Sequence, residues 1–170
     1  MMGELAPERD FHIRMLASDE PPPYELLLIA DPSRELVDRY LEQGTCYIAV
    51  LPEEAFPQKP VGVFVLLPRD AETVEIMNIA VREDAQGKGI GRRLLQAAIE
   101  IAKASEVRNI EIGTGNSSIH QLALYQKCGF RITSVDRDFF VRNYKEAIYE
   151  NGIPCRDMIR LRYEVGETAY

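Results

Sequence analysis

Glycine occupies every second position of the range 87–91, directly before a stretch with the apolar stripe of a helix. Glycine inside a helix costs about 1 kcal/mol relative to alanine, so this spacing indicates a purpose other than folding. The unpaired N–H groups and the dipole of a helix start attract anions, and glycine removes side chains that would hold a phosphate away. Lys88, Arg92 and Arg93 add positive charge. The pattern predicts a phosphate-binding loop; a tight connection without a ligand is the alternative.

Two other phosphate-binding motifs fit this stretch less well. A P-loop requires lysine and then serine or threonine after its last glycine, whereas two arginines follow Gly91. A dinucleotide-binding fingerprint that starts at Gly89 requires a small residue where Leu94 stands, and its glycines follow a strand almost at once. A nicotinamide-dependent oxidoreductase with Glu111 as the ribose ligand is therefore the less favoured alternative.

The composition indicates a soluble globular chain with one substantial core. Its 170 residues are 46% hydrophobic and 28% charged, which favours a single domain, expected over 11–163 between terminal tails 1–10 and 164–170. No stretch approaches the roughly 20 apolar residues of a membrane span, and the acidic start is unlike a secretory signal. The sequence predicts a cytoplasmic protein without membrane association.

The charge and the cysteines narrow the classes of partner. A formal net charge of −7 argues against non-specific binding to nucleic acid, because surplus lysine and arginine supply phosphate contacts. An acidic surface favours cations, including amines, although many proteins are acidic only for solubility. Cys46, Cys128 and Cys155 lack the paired spacing of a zinc site or a redox motif. We expect reduced thiols and no metal.

Hydrophobic patterning predicts an α/β (α+β mixed) fold. The predicted strands are 11–16, 45–51, 61–67, 73–81, 108–115, 130–135 and 157–163, and the predicted helices are 24–30, 31–44, 90–102 and 118–127. Asp31 is expected to cap the second helix, which Gly44 ends, and Ser118 with Gln121 has the form of a capping box. This order predicts a mixed sheet covered by helices on both faces.

Among these elements, the glycine stretch resembles the phosphate loop of the GCN5-related N-acetyltransferase (GNAT) superfamily. That loop follows the pattern Gln or Arg, two residues, Gly, one residue, Gly or Ala, which Gln86, Gly89 and Gly91 match. The stretch "LALYQKCGF" at 122–130 looks like the family's late helix leading into its sixth strand. The resemblance covers roughly 11–163 and implies the GNAT acyl-CoA N-acyltransferase fold, with a mostly antiparallel sheet of about seven strands.

The resemblance implies acetyl-coenzyme A (acetyl-CoA) as the acyl donor. Its pyrophosphate would lie on backbone amides of the loop, and its pantetheine arm would pair with the preceding strand as an added strand does. The fourth and fifth strands would have to splay apart to admit it. The implied cofactor-binding residues are Ile79, Ala80, Val81, Gln86, Gly87, Lys88, Gly89, Ile90, Gly91 and Arg92. Asn116 could also reach the pantetheine, or it could be a turn residue.

Transfer to an amine requires removal of a proton from the amine and a proton for the departing thiolate. Glu75 interrupts an apolar run on a strand expected to be central, where burial would make its carboxylate a stronger base. Its place also matches the glutamate base of some family members. The alternative is that Glu75 pairs with an arginine or faces water, in which case a water chain carries the proton. Asn78 could orient the substrate or pair with a neighbouring backbone.

Tyr125 is the second catalytic candidate. Its helix position matches the tyrosine that family members place beside the thioester sulfur, where a phenol can donate a proton to the thiolate. A tyrosine packed on the core is the alternative. An acetyl-cysteine intermediate on Cys128 is disfavoured, because no histidine stands in an evident partner position. We therefore expect direct attack in a ternary complex.

The acceptor is expected to lie between two segments. The connection 137–156 is rich in aromatic residues, and with the region around 21–28 it is expected to wall the acceptor pocket; a dimer contact or a lid is the alternative. The resemblance implies an N-acetyltransferase for a primary amine of a small molecule or peptide. A coenzyme A-binding relative without catalysis is the alternative, because the site and not the fold sets the function.

Overall fold

The computed structural model describes residues 10–52 and 59–167. Its strands are β1 His12–Met15, β2 Thr45–Val50, β3 Gly62–Pro68, β4 Thr73–Val81, β5 Asn109–Gly115, β6 Arg131–Asp136, β7 Ile148–Glu150, β8 Ile153–Cys155 and β9 Met158–Glu164. Its helices are α1 Tyr24–Ala30, α2 Arg34–Gln43, α3 Ile90–Ala104, α4 Ile119–Lys127 and α5 Phe139–Asn143. Of the predicted tails 1–10 and 164–170, residues 1–9 and 168–170 lie outside the described residues, as do residues 53–58 of the connection 52–60, whereas Glu164 belongs to β9. No helix in the described ranges is long and apolar enough to cross a lipid bilayer.

Seven strands form one sheet in the order β1-β2-β3-β4-β5-β9-β6. Every neighbouring pair is antiparallel except β4 and β5, which run parallel. Helices α3 and α4 pack on the face that carries Phe64 and Leu66 of β3, and α1 and α2 cover the opposite face with Val63 and Val65. The mixed, mostly antiparallel sheet with helices on both faces is therefore confirmed.

The β4 and β5 strands separate toward their carboxyl ends. Their ladder of paired residues ends at Ile76 and Ile112, although β4 continues to Val81 and β5 to Gly115. The main-chain groups of β4 beyond Ile76 therefore have no β5 partner on that side. This is the splay that the resemblance implied for a bound pantetheine arm.

A β-bulge lies where the two strands begin to separate. On β3, Val65 pairs with Asn78 and Leu66 pairs with Ile76, so Met77 is an extra residue on β4. A bulge changes the direction in which the following side chains point. It turns Asn78 and Ala80 toward the face that α1 and α2 cover, where Ala80 joins their core.

One predicted helix cap is wrong, and another stands at the predicted residue without its capping bond. Ser33, and not Asp31, caps α2, with its Oγ accepting from the amide of Leu36 at 3.3 Å, while the Asp31 carboxylate accepts from the amide of Ser33 at 3.1 Å. At the start of α4, Ser118 makes no capping bond and donates its hydroxyl to the Glu150 carboxylate at 2.9 Å. The Ser118 hydroxyl is therefore used for a contact outside its own helix.

The segment 137–156 has secondary structure that the sequence analysis did not predict. It contains the short helix α5 and a hairpin of β7 and β8. Asn151 and Gly152 join the two strands with φ of 54° and 71°, the backbone of a type I′ turn. Asn-Gly between strand-forming residues is a strong hairpin signal, so the hairpin could have been predicted from the sequence.

Candidate active site

The glycine loop forms an open, uncapped helix start. Gly89 is the N-cap of α3 and adopts the left-handed conformation with φ of 78°, and Gly87 has φ of 75°. No side chain caps the helix, and apart from the adjoining residues no described atom lies within 4 Å of where a Cβ would stand on either glycine. The loop therefore leaves room against its own amides, as an anion requires.

The loop is held against the end of β4. The Gln86 amide group donates to the carbonyl of Val81 at 2.9 Å, and Lys88 Nζ donates to the carbonyl of Asp84 at 3.2 Å. A Cβ on Gly91 would meet Val81 at an ordinary 3.7 Å, so that position tolerates alanine as the family pattern allows. The structure thus brings together the implied cofactor-binding residues of 79–81 and 86–92.

Tyr125 lies on α4 and is buried, with 5% of its surface exposed. Its ring packs against Phe130, with centroids 6.2 Å apart, and its hydroxyl forms no hydrogen bond to any residue in the described ranges. Burial raises the pKa of Tyr125, and the nearby negative charge of Glu150 raises it further. The hydroxyl therefore keeps its proton at neutral pH, which is the state that a general acid must be in before it donates.

Glu75 is 3% exposed, but it is not a free carboxylate. Its Oε2 accepts from Arg69 at 2.6 Å and its Oε1 accepts from Arg160 at 2.9 Å, so each oxygen is engaged by a guanidinium group. These contacts match the alternative in which Glu75 pairs with arginine, and they favour a structural role over the expected role as a base. Burial of a lone carboxylate is costly, and two guanidinium groups remove that cost.

We therefore expect Glu75→Gln to keep acetyl transfer within about threefold of the wild-type kcat. The free energy of unfolding should fall by about 1–3 kcal/mol, less than for a fully buried pair because both arginines are partly exposed. Turnover and urea unfolding measure the two effects. Glu111→Gln, which removes the carboxylate beside Arg162 on the adjacent strand, is the matched control. A large loss of kcat in folded Glu75→Gln, absent from the control, would restore the base role.

Asn116 anchors the chain beyond β8. Its Oδ1 accepts from the amides of Arg156 and Asp157 at 2.8 and 2.9 Å, and its Nδ2 donates to the carbonyl of Pro154 at 3.1 Å. Both functional groups of the side chain are thereby used within the protein. These contacts favour a structural role for Asn116 over contact with the pantetheine.

The β7–β8 hairpin closes over the end of β5 and the start of α4. Asn151 donates to the carbonyl of Ser117 at 2.8 Å, next to the Ser118–Glu150 contact. A Cβ on Gly115 of β5 would overlap the sulfur of Cys155, so glycine is needed for this approach. The hairpin thus brings the Glu150 carboxylate near enough to Tyr125 to raise the pKa of its hydroxyl, a proximity that the sequence analysis missed.

The cysteines offer no activated nucleophile. All three are free thiols, with Cys46 and Cys155 buried. Burial raises the pKa of Cys46 to about 12 and also raises the pKa of Cys128, against a smaller opposing effect of Arg92. A thiol that keeps its proton is a poor nucleophile, so these environments favour direct attack by the acceptor. Within the described ranges no group of His, Cys, Asp or Glu is arranged to hold a metal ion.

The two segments expected to wall one acceptor pocket line separate cavities. Residues 21–26 border a cavity of about 980 Å³, whereas residues 140–156 border another of about 430 Å³. The two cavities have no lining residue in common, so neither is the predicted shared pocket. The segments meet elsewhere, where the Tyr144 hydroxyl donates to Asp31 just after α1, at 2.8 Å.

Comparison with known sequences gives a family match over most of the chain. The model of the acetyltransferase (GNAT) family matches residues 12–130. The uncharacterized N-acetyltransferase YvbK of Bacillus subtilis (strain 168) is 59% identical over 138 residues, which cover 81% of this chain and 86% of that protein. The family match over 12–130 includes the loop, the splayed strands and α4.

Two solved structures share the fold and were determined with the nucleotide bound. A GNAT family acetyltransferase from Elizabethkingia anophelis with acetyl-CoA bound has a TM-score of 0.85 and 49% identity, covering 91% of this chain and 98% of that chain. A Bacillus subtilis acetyltransferase in complex with CoA has a TM-score of 0.83 and 54% identity, covering 92% and 99%. Both similarities extend well beyond the loop motif.

Proposed function

Because the chain belongs to the GNAT family of N-acetyltransferases, we propose that it transfers an acetyl group from acetyl-CoA to a primary amine. The acceptor is a small molecule or a peptide, and it attacks directly in a ternary complex. The observation that carries the proposal is the open glycine loop at α3, which adjoins the unpaired end of β4. The two relatives solved with acetyl-CoA or CoA support it.

The donor would contact the chain in two regions. Backbone amides of 86–92 receive the pyrophosphate, because Gly87 and Gly89 leave the space beside them open. The pantetheine arm then follows β4 at 79–81, whose other side already pairs with β3. The arm runs back from the loop along β4, so its thioester end reaches the bulge at Met77.

The chemistry balances with the groups at hand. The amine nitrogen attacks the thioester carbonyl carbon, the new C–N bond forms, and the C–S bond breaks. The Tyr125 hydroxyl donates its proton to the departing thiolate, and the proton lost by the amine returns through water to the tyrosine. Water takes this part because both oxygens of Glu75 are held by arginines. The products are the acetylated amine and free CoA.

Thiol release from acetyl-CoA across a panel of polyamines, amino acids, aminoglycosides and peptides tests the function. We expect release with at least one amine, and acetyl-CoA should raise Tm by about 5–10 °C at 100 times its Kd. A nicotinamide dinucleotide should give no such rise. If CoA binds but no amine yields thiol, the chain is a CoA-binding relative without catalysis.

A further inference from the structure

A polar cluster that the chemistry above does not use lies between the α1–α2 junction and α5. It consists of Asp31, Tyr40, Asn78 and Tyr144 and is called the Asp31 cluster below. The Tyr144 hydroxyl donates to Asp31 Oδ1 at 2.8 Å. Asn78 Nδ2 donates to the Tyr40 hydroxyl at 2.8 Å and to the carbonyl of Leu27 at 2.9 Å. Tyr40 lies close enough to Asp31 to affect its pKa, so these contacts belong to one cluster that joins α1, α2, β4 and the segment after α5.

Asn78 leaves a buried oxygen without a partner. The residue is 3% exposed, and its Oδ1 accepts no hydrogen bond from any residue in the described ranges. Exchanging Oδ1 and Nδ2 does not remove the problem, because the oxygen would then face the carbonyl of Leu27, which can only accept a hydrogen bond. Buried polar atoms almost always have partners, so this acceptor has capacity for a donor that the described residues do not supply.

Asp31 has no cationic side chain paired with it in the described ranges, although half-buried carboxylates usually have one. It is half-buried, and among the described residues no lysine or arginine forms an ion pair with it, whereas Glu20, Asp38 and Glu75 are each paired with arginine. Burial raises the pKa of Asp31, against smaller opposing effects of hydrogen bonds from Ser33, Tyr144 and Tyr40. The hydrogen bonds satisfy part of the carboxylate, but its charge has no counterpart.

The cluster lies where the acyl group would arrive. Asn78 directly follows the bulge at Met77 and is the second residue after the last β4–β5 pair, which involves Ile76. A pantetheine arm that pairs with 79–81 brings its thioester to this part of β4. The side chain of Asn78 points to the α1–α2 face, so the cluster borders the thioester from that side.

We propose that the Asp31 cluster binds the amino group of a basic acceptor in its protonated form, with the Asp31 carboxylate and Asn78 Oδ1 accepting its N–H bonds. The ammonium then loses one proton to water, because only the neutral nitrogen can attack the thioester carbon. The inference rests on the proposed function and adds a substrate class to it. An ammonium group supplies both the missing positive charge and up to three donors. An acceptor with a hydroxyl or carboxylate at this place would supply at most one donor and no positive charge. The net charge of −7 also favours the approach of cations.

Asp31→Asn tests the proposal with three basic probes, 1,4-diaminobutane, L-lysine amide and kanamycin, and with aniline as an amine that is neutral at the assay pH. We expect a wild-type preference for a basic probe, and in the variant a KM for that probe at least about 10-fold higher. The KM for aniline and the Kd for CoA should change less than about threefold. The asparagine amide has the shape of the carboxylate, and its oxygen can accept the same hydrogen bond from the Tyr144 hydroxyl. The Tm of the variant should therefore not fall.

Asp38→Asn is the matched control, because Asp38 also accepts from a tyrosine hydroxyl, that of Tyr24 at 2.7 Å, but is paired with Arg34. It should leave all KM values unchanged. An unchanged KM for the basic probe in Asp31→Asn, or a wild-type preference for aniline, overturns the inference while the proposed function stands. If no amine yields thiol, the proposed function fails, and calorimetry of 1,4-diaminobutane with the CoA-loaded protein decides. Weaker binding in Asp31→Asn than in wild type then supports the inference, and equal or absent binding overturns it.

Discussion

Tyr125→Phe is expected to lower the kcat of acetyl transfer by about 10²-fold, the lower end of what general acid catalysis contributes. The hydroxyl is buried, and both burial and the charge of Glu150 raise its pKa, so it is protonated throughout the neutral range. Without it, the departing thiolate must take its proton from water. The Kd for CoA should change less than about threefold, because phenylalanine keeps the ring against Phe130.

The measurement is steady-state thiol release together with calorimetric binding of CoA. Tyr163→Phe is the matched control, since its ring also packs on Phe130, with centroids 5.6 Å apart, but lies beside Lys103 and away from the loop. The Tyr125 hydroxyl makes no hydrogen bond within the described ranges, so its loss should leave Tm nearly unchanged. Equal kcat values in wild type and Tyr125→Phe, or equal losses in the two variants, would remove the assigned role.

The layered fold could be predicted because periodicity records which side chains are buried. The predicted strand 73–81 coincides with β4, and the stripe on the predicted helix 90–102 places Leu94, Ala98 and Ala102 in the core. The glycine loop could be predicted for a related reason, since the left-handed N-cap at Gly89 favours glycine over other residues. A local backbone conformation can therefore be predicted from the types of the residues that form it.

The partners of the polar groups could not be predicted, because they come from distant parts of the chain. Glu75 meets Arg160, 85 positions away, and Asp31 meets Tyr144, 113 positions away. No spacing rule says which of the many arginines or tyrosines closes such a contact. The sequence therefore presented Glu75 as a candidate base and Asp31 as a helix cap, and only tertiary packing distinguishes these roles from the observed ones.

Gly89→Val is expected to weaken the binding of CoA by about 10²-fold or more. A β-branched residue in the left-handed conformation is strained by about 1–2 kcal/mol, and its Cβ would project into the open space beside the loop amides. A phosphate held there through charge-assisted bonds would be displaced from several donors at once, and each 1.4 kcal/mol lost is tenfold in Kd. Calorimetric titration with CoA measures the loss.

The strain must be separated from the loss of the anion site, and the chain offers a control for that purpose. Gly166 also has a left-handed backbone, with φ of 93°, and open space around its Cβ position, but it follows β9 outside the loop. Gly166→Val should share the strain and keep the Kd for CoA, and Gly91→Ala should keep it as well, because its Cβ makes only ordinary contacts. If Gly166→Val weakened CoA as much as Gly89→Val does, backbone strain alone would explain the loss. If Gly89→Val bound CoA normally, the pyrophosphate would have to lie elsewhere, and the position of the thioester beside Asn78 and Tyr125 would lose its basis.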